Sequence, residues 1–375
     1  MSGDLPLVSI ITPSFNSARF IAETLKSVAA QDYGRIEHIV VDGGSTDGTL
    51  DMLRPSPASW LSEPDRGQAD ALNKGLRRAR GAIIGWLNAD DTYAPGAVRA
   101  AVTHLAAHPD CGLAFADCDW IDEEGRVVDR WRTRPTTLTD LLLDGCIIPH
   151  QSAFLRREVF AATGEFDAGL RFAMDYDLLL RALRAFPGCR VKGAWGSLRV
   201  WAGTKTSQHQ AAFWPENLRV VERALAAGDV PAEVAAEARR RVHLNLALAA
   251  AWAGDDAQSE PAFDAALVDG IPYGNWAALA EIIVTRCRRP SYLRVPTAEV
   301  EDRLDKVLSA RGTPAELRAH VSQLRAFGAW LARDWAAARQ YAGTALRASP
   351  AVRRNRGLWS VWARAWLRRG PRPVG

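Results

Sequence analysis

The residues best suited to chemistry in this sequence are acids that stand where apolar runs stop. In GAIIGWLNADDTYAPG, residues 81–96, an apolar stretch ends at two adjacent carboxylates, Asp90 and Asp91. Like charges this close repel unless a cation lies between them. Carboxylates at a strand end suit Mg²⁺ or Mn²⁺, hard cations that take oxygen ligands and leave positions for a substrate's phosphates. A nucleoside diphosphate is the natural second partner of so sparse a site. The competing reading is structural, with the pair capping the helix that follows at PGAVRAAVTHL. Asp42 ends IEHIVVD ahead of GGSTDGT; it can close an Asx turn or accept an N–H from a ligand. Asp175 and Asp177 open MDYDLLLRALRAF, where a helix N-terminus stabilises a carboxylate.

These acids need a scaffold, and the hydrophobic pattern supplies one. LVSIITPSF (7–15) is a β-branched run closed by Pro13 and Ser14, and ARFIAETLKSVAAQ (18–31) carries apolar residues at helical spacing. IEHIVVDGGSTDGT repeats the strand-then-turn pattern, ADALNKGLRRARG reads as a helix stopped by Gly81, and AIIGWLNADD is a third strand. Alternating strands and helices predict an α/β fold with a mostly parallel sheet, in which ligands bind beyond the carboxyl ends of the strands. Asp42, Asp90 and Asp91 all fall at such ends. CGLAFADCDWID adds a strand and GRVVDRW pairs with it as a hairpin.

Composition narrows the functional classes. The formal charge of +4 arises from 47 basic and 43 acidic residues, so no global field argues for nucleic acid. The five cysteines, Cys111, Cys118, Cys146, Cys189 and Cys287, are odd in number and scattered; they read as reduced thiols without zinc-site spacing. Neither a signal peptide nor an apolar run long enough to span a membrane is expected, which points to a cytoplasmic protein.

Five ordered blocks, VSIITPSFN, HIVVDGGSTDGT, SEPDRGQADALNKGLRRARGAIIGWLNADD, PHQSAFLRREVF and MDYDLLLR, together resemble a family 2 glycosyltransferase with the nucleotide-sugar-binding GT-A fold. The resemblance spans residue 6 to about residue 205. It implies an inverting, metal-dependent transfer from a nucleoside-diphosphate sugar to an acceptor hydroxyl, and a setting in surface polysaccharide or glycolipid assembly on a glycan or lipid-linked acceptor. By matching position, Asp42 holds the nucleotide base, the backbone around Pro13, Ser14 and Phe15 lines its other side, and Arg66 approaches the nucleotide. NADD stands for the family's DXD motif. Asn88 there keeps an oxygen acceptor and loses a charge, which leaves Asp91 as the metal ligand and Asp90 as a contact to ribose or to the metal's water. Asp175 matches the catalytic base, with Asp177 a first-turn charge. His150 and Gln151 are expected on the acceptor side. Trp201 stands where many relatives have a histidine; Lys205 could instead neutralise the diphosphate, or His209 could serve.

Two other functions fit parts of the sequence. A nucleotidyltransferase would need a glycine-rich phosphate loop with a lysine after the first strand, which TPSFNSARF does not offer. A degenerate transferase domain acting as a scaffold or glycan-binding module would not need Asp42, Asp91 and Asp175 intact.

Strand signals end near residue 203. We expect a transferase domain over residues 1–222 and an α-helical domain over 223–375. AWAGDDAQSEPAFDAAL and AWLARDWAAARQYAGTAL read as two weak copies of a paired-helix repeat of the tetratricopeptide kind, with an ordinary bundle as the alternative. From residue 335 onward there are nine arginines and no acid. Leu358, Trp362, Ala365 and Trp366 form one helical face, suited either to a membrane interface at the inner face of the plasma membrane or to burial in the bundle.

Overall fold

Four parallel strands form the first half of the sheet. In the computed structural model, which describes residues 5–267, 315–331 and 333–367, β1 (Val8–Ser14), β2 (Ile36–Asp42), β3 (Ser59–Ser62) and β4 (Ile83–Trp86) lie in the order β3-β2-β1-β4. Every residue of β1 is buried, because both sheet faces are covered and an apolar run need not alternate. Ile11 packs with Leu72 of α3 (Gln68–Arg78), Trp86 and Leu179, while Ile10 faces Val98 and Leu105 of α4 (Ala97–Ala107) and Phe154. The helix α3 ends at Arg78, and Gly81 serves a close approach: a Cβ there would meet the Ser9 amide nitrogen at 2.5 Å.

The sheet then turns mixed. β8 (Ala153–Arg156) runs antiparallel to β4 and to β6 (Leu113–Ile121), β6 lies parallel to β9 (Gly188–Arg199), and β5 (Thr92–Tyr93) closes that edge. β7 (Val127–Trp131) forms the expected hairpin with β6. β3, β5 and β9 are additions to the sequence reading. β9 contains Gly188, Gly193 and Gly196, which weakens any strand signal. Gly196 is nonetheless required, since a Cβ there would meet the Gln151 carbonyl oxygen at 2.2 Å.

The β6–β9 pairing also corrects the thiol reading. Cys111 and Cys189, 78 residues apart in sequence, are joined as a disulfide with a Cα separation of 6.1 Å. Parallel register places Cys189 opposite Ala114, a proximity that spacing along the chain could not show. Cys118 and Cys146 are free thiols, and Cys287 lies outside the described residues.

The chain forms two compact units, Met1–Val242 and His243–Gly375. The first includes α7 (Met174–Ala185) and α9 (Gln210–Leu225), and Val220, Val221, Ala238 and Val242 join its core. Both repeat-like stretches are helix–turn–helix pairs, Ala232–Ala253 with Asp256–Leu267 and Ala315–Leu331 with Trp335–Ala348. In the helix Arg356–Leu367, residues Leu358, Val361 and Ala365 pack into the helical core with Ala338 and Ala342, and Trp362 packs against it, so the predicted face is turned into the bundle except at Trp366. Trp359 and Trp366 stay exposed, with the Arg339 guanidinium 4.7 Å from the Trp366 ring. Among the described residues, no helix is long and apolar enough to cross a membrane.

Candidate functional site

The carboxyl ends of β1, β2 and β4 share one rim, as parallel strands must. Ser14 pairs in register with Asp42, and the Asn88–Asp91 turn follows β4, closed by the Asp91 amide donating to the Asn88 carbonyl at 3.1 Å. Asp42 is fully buried. Its Oδ2 accepts the Gly44 and Ser45 amides at 3.0 and 2.9 Å and the Ser62 hydroxyl at 2.7 Å, which is the Asx-turn arrangement. Beside it the Ser14 hydroxyl is buried without a partner among the described residues, Pro13 is buried, and Phe15 is 64% exposed. A side chain at Gly43 would strike the Asp65 carboxylate at 2.6 Å. Asp65, which sequence reasoning missed, therefore overhangs the same rim. Arg66 projects into solvent with its guanidinium 3.3 Å from Asp70.

The Asp90–Asp91 pair divides its labour in a way the sequence did not show. Asp91 is 1% exposed. Its Oδ2 accepts from Gln151 Nε2 at 2.9 Å and its Oδ1 from the Arg199 amide at 2.9 Å. Burial, and then the neighbouring Asp90 charge, push its carboxyl up to about 7. Asp90 is only partly buried, and burial raises its pKa as well. Trp201 Nε1 donates to Asp90 Oδ2 at 3.1 Å, and among the described residues no other residue donates to Asp90 Oδ1. Asp90 thus presents the oxygen that can meet a ligand, whereas both oxygens of Asp91 are already engaged. Gln151, expected on the acceptor side, is 2% exposed and serves as the donor to Asp91.

Arg199 was missed entirely and is the buried hub of this corner. It is 1% exposed, donates from Nε to the Asp90 carbonyl at 2.9 Å and from Nη2 to Glu23 at 2.6 Å, and lies over the Phe20 ring at 4.5 Å. Phe20 in turn meets Trp201 edge-on. The Trp201 indole, at a position where the resemblance led us to expect a histidine, is therefore held as a hydrogen-bond donor to Asp90.

A chain of polar side chains joins this corner to Asp175. Lys205 Nζ donates to Gln68 Oε1 at 2.6 Å, Gln68 Nε2 donates to Asn88 Oδ1 at 2.7 Å, and Asn88 Nδ2 lies 3.1 Å from His150 Nε2. Following the donors in sequence makes His150 Nε2 an acceptor. The imidazole proton is then assigned to Nδ1, which faces Asp175 Oδ2 at 3.6 Å. His150 is held flat against Trp86, with the rings stacked at 5.6 Å. Burial pushes the Lys205 ammonium below its ordinary value. His209 is exposed near Phe172 and joins none of these contacts.

Asp175 sits in the first turn of α7 without being consumed by capping. The N-cap is Ala173, with no side-chain cap of its own. Glu216 of α9 takes the amides of Arg171, Phe172 and Ala173 at 2.9, 2.7 and 3.0 Å. Asp175 Oδ1 accepts the Tyr176 amide at 2.8 Å, and its side chain is 25% exposed. Asp177 is different: it is buried between Arg181 and Arg223 and holds α7 to α9.

Residues 9–164 match the family described as "Glycosyl transferase family 2". An uncharacterized glycosyltransferase of Mycobacterium tuberculosis is 38% identical over 185 residues, covering 47% of this chain and 69% of that protein. The chain is a family 2 glycosyltransferase. The transferase is also 32% identical over 186 residues to the PGL/p-HBAD biosynthesis glycosyltransferase of Mycobacterium bovis, covering 47% of this chain and 69% of the relative. The crystal structure of residues 1–349 of TarS from S. aureus in complex with UDP-GlcNAc superposes with a TM-score of 0.56 at 17% identity, covering 82% of this chain and 92% of that one. That likeness bears on the fold, a GT-A sheet followed by a helical region, as the sequence predicted.

Proposed function

We propose that this transferase moves a sugar from a nucleoside-diphosphate donor to an acceptor hydroxyl with inversion, in the assembly of a surface polysaccharide or glycolipid. Relatives named as chondroitin synthase and O-antigen biosynthesis protein support the polysaccharide setting. The observation that carries the mechanism is the Asp175 carboxylate, freed from capping by Glu216 and with His150 Nδ1 3.6 Å away. Asp175 Oδ2 takes the acceptor hydroxyl's proton as the oxygen attacks the anomeric carbon from the face opposite the diphosphate. The new C–O bond forms as the bond to phosphate breaks, and the electron pair leaves on the phosphate oxygen.

Lys205 uses Nζ on Gln68 and the Arg171 carbonyl, and an ammonium has three donors, so one remains for the departing oxygen. The end of β1 at Phe15, which is exposed, would line the nucleotide together with the rim edged by Asp65 and Asp42. A divalent cation fits the acidic corner, because the adjacent carboxylates repel and a cation removes that cost. Asp90 would hold it, with Asp91 behind. Mg²⁺ or Mn²⁺ bound there would supply positive charge against the leaving diphosphate.

The test is Asp175→Asn, assayed by slow hydrolysis across a panel of nucleotide sugars and by thermal shift with UDP, GDP and dTDP plus Mn²⁺. Turnover should fall by about 10²–10⁴-fold, the usual range for a general base, while the nucleotide shift persists. Loss of nucleotide binding, or unchanged turnover, would refute the assignment.

A further inference from the structure

A second cluster of ligating side chains lies at the other rim of the sheet. β6 and β4 are each antiparallel to β8 and so run the same way, and β9 is parallel to β6. The starts of β6 and β9 are therefore at the end opposite Asp90 and Asp175. There His104, in the last turn of α4, Cys111, just before β6, and Cys189, the second residue of β9, bring one nitrogen and two sulfurs within 4.8 Å of one another. His104 Nε2 is buried from solvent and has no hydrogen-bond partner among the described residues. A buried imidazole nitrogen left unsatisfied costs stability and calls for a ligand.

The surroundings hold the three groups in place. Arg156 clamps the connecting loop, with Nε on the Cys111 carbonyl at 2.8 Å and Nη2 on the Leu105 carbonyl at 2.5 Å. His108 stacks on the His104 ring at 4.1 Å while its Nδ1 meets the His104 carbonyl at 2.9 Å.

We propose that Cys111, Cys189 and His104 form a redox-gated Zn²⁺ site, closed as a disulfide when oxidised and open to a soft divalent cation when reduced. Thiolate and imidazole ligands at roughly 2.3 and 2.1 Å suit Zn²⁺, whereas Mg²⁺ and Mn²⁺ prefer oxygen. A dithiol reductant delivers two electrons and two protons to the Cys111–Cys189 bond and leaves as its own disulfide. Zn²⁺ then displaces both thiol protons and binds two thiolates and the His104 imidazole. Cys189 is partly exposed, so water completes the tetrahedron. The bound ion ties the end of α4 to the starts of β6 and β9, the same three points that the disulfide and His104 bring together.

The full-length protein, reduced by a phosphine, stripped of metal and checked by circular dichroism, would be titrated with Co²⁺ and then Zn²⁺. One equivalent of Co²⁺ should produce thiolate-to-cobalt charge transfer and tetrahedral d–d bands. Zn²⁺ should abolish those bands with release of about two protons, the count for two thiols becoming thiolates. Oxidised protein should show no thiolate band, and Cys111→Ser, Cys189→Ser and His104→Asn should each lose or weaken it. No band in reduced, folded wild type would overturn the proposal, and so would a band unchanged in both serine variants. The readout does not depend on sugar transfer, and excess Mg²⁺ should leave it unaltered, so its failure and failure of the transferase mechanism are separable.

Discussion

Gln151→Met separates a buried role for this residue from an acceptor role. Gln151 is 2% exposed and gives Asp91 one of its two donors, at 2.9 Å, the other being the Arg199 amide, also at 2.9 Å. Methionine keeps the length and approximate volume, so the change removes a donor without opening a large cavity. A hydrogen bond to a charged group contributes about 1.5–3 kcal/mol. At roughly 2–4 °C per kcal/mol for a unit of this size, the first unit's melting temperature should fall by roughly 3–12 °C at pH 8, where Asp91 is ionised. The deficit should shrink as pH falls through about 7, because Asp91 then carries a proton and no longer needs two donors. Calorimetry of wild type and variant at pH 8 and pH 5.5 measures both effects. An unchanged melting temperature together with a raised acceptor KM would show that Gln151 faces the acceptor after all.

Two further outcomes follow from the same geometry. The Asp91 pKa stands at about 7 in the folded state against an ordinary 3.8, so between those values the native state binds more protons than the unfolded one. Its contribution therefore makes stability fall as pH rises through that window. Chemical denaturation between pH 4 and pH 8 should show this slope and Asp91→Asn should flatten it; an identical slope in the variant would refute the coupling. Asn88→Asp should slow donor hydrolysis by roughly 5–30-fold, the effect of one or two kcal/mol, because a carboxylate cannot donate to His150 Nε2. Faster turnover with tighter Mn²⁺ binding would instead show that position 88 works as a metal ligand.

The sequence made the first half of the sheet legible because β1, β2 and β4 are short runs rich in β-branched and apolar residues that end in polar turns, and parallel strands bring such ends together. It named Asp90, Asp91, His150, Asn88, Lys205 and Asp175; in the structure a chain of polar contacts runs from Lys205 through Asn88 to His150 and Asp175. It took Asp91 as the metal ligand and Asp90 as the neighbouring contact, whereas the structure buries Asp91 and leaves Asp90 the more open of the two. That order depends on Gln151 and on the backbone of β9, and β9 carries too many glycines to announce itself. Gln68 escaped notice because an amide at a helix start has no chemistry of its own; its role appears only once Lys205, 137 residues away, is found against it. Glu216 is similar, an ordinary acid of α9 that caps a helix 43 residues earlier in the chain. The Cys111–Cys189 pairing depended on a register that only the folded sheet defines.

The residues at positions 88 and 201, where the resemblance led us to expect an acid and a histidine, share one effect on the corner. At position 88 an acid would add charge to a corner already holding two carboxylates, one of them buried. Asparagine instead both accepts from Gln68 and donates to His150, which turns the position from a ligand into a link. At position 201 a histidine could coordinate, whereas Trp201 only donates to Asp90 Oδ2. That bond steadies Asp90 while leaving its other oxygen for a ligand. With Asp91 satisfied by Gln151 and Arg199, the protein offers a cation few free oxygens of its own. A divalent ion at this corner would then depend on the donor's phosphate oxygens for much of its coordination, so metal and nucleotide would enter the site together and the diphosphate would carry the ion away when it leaves.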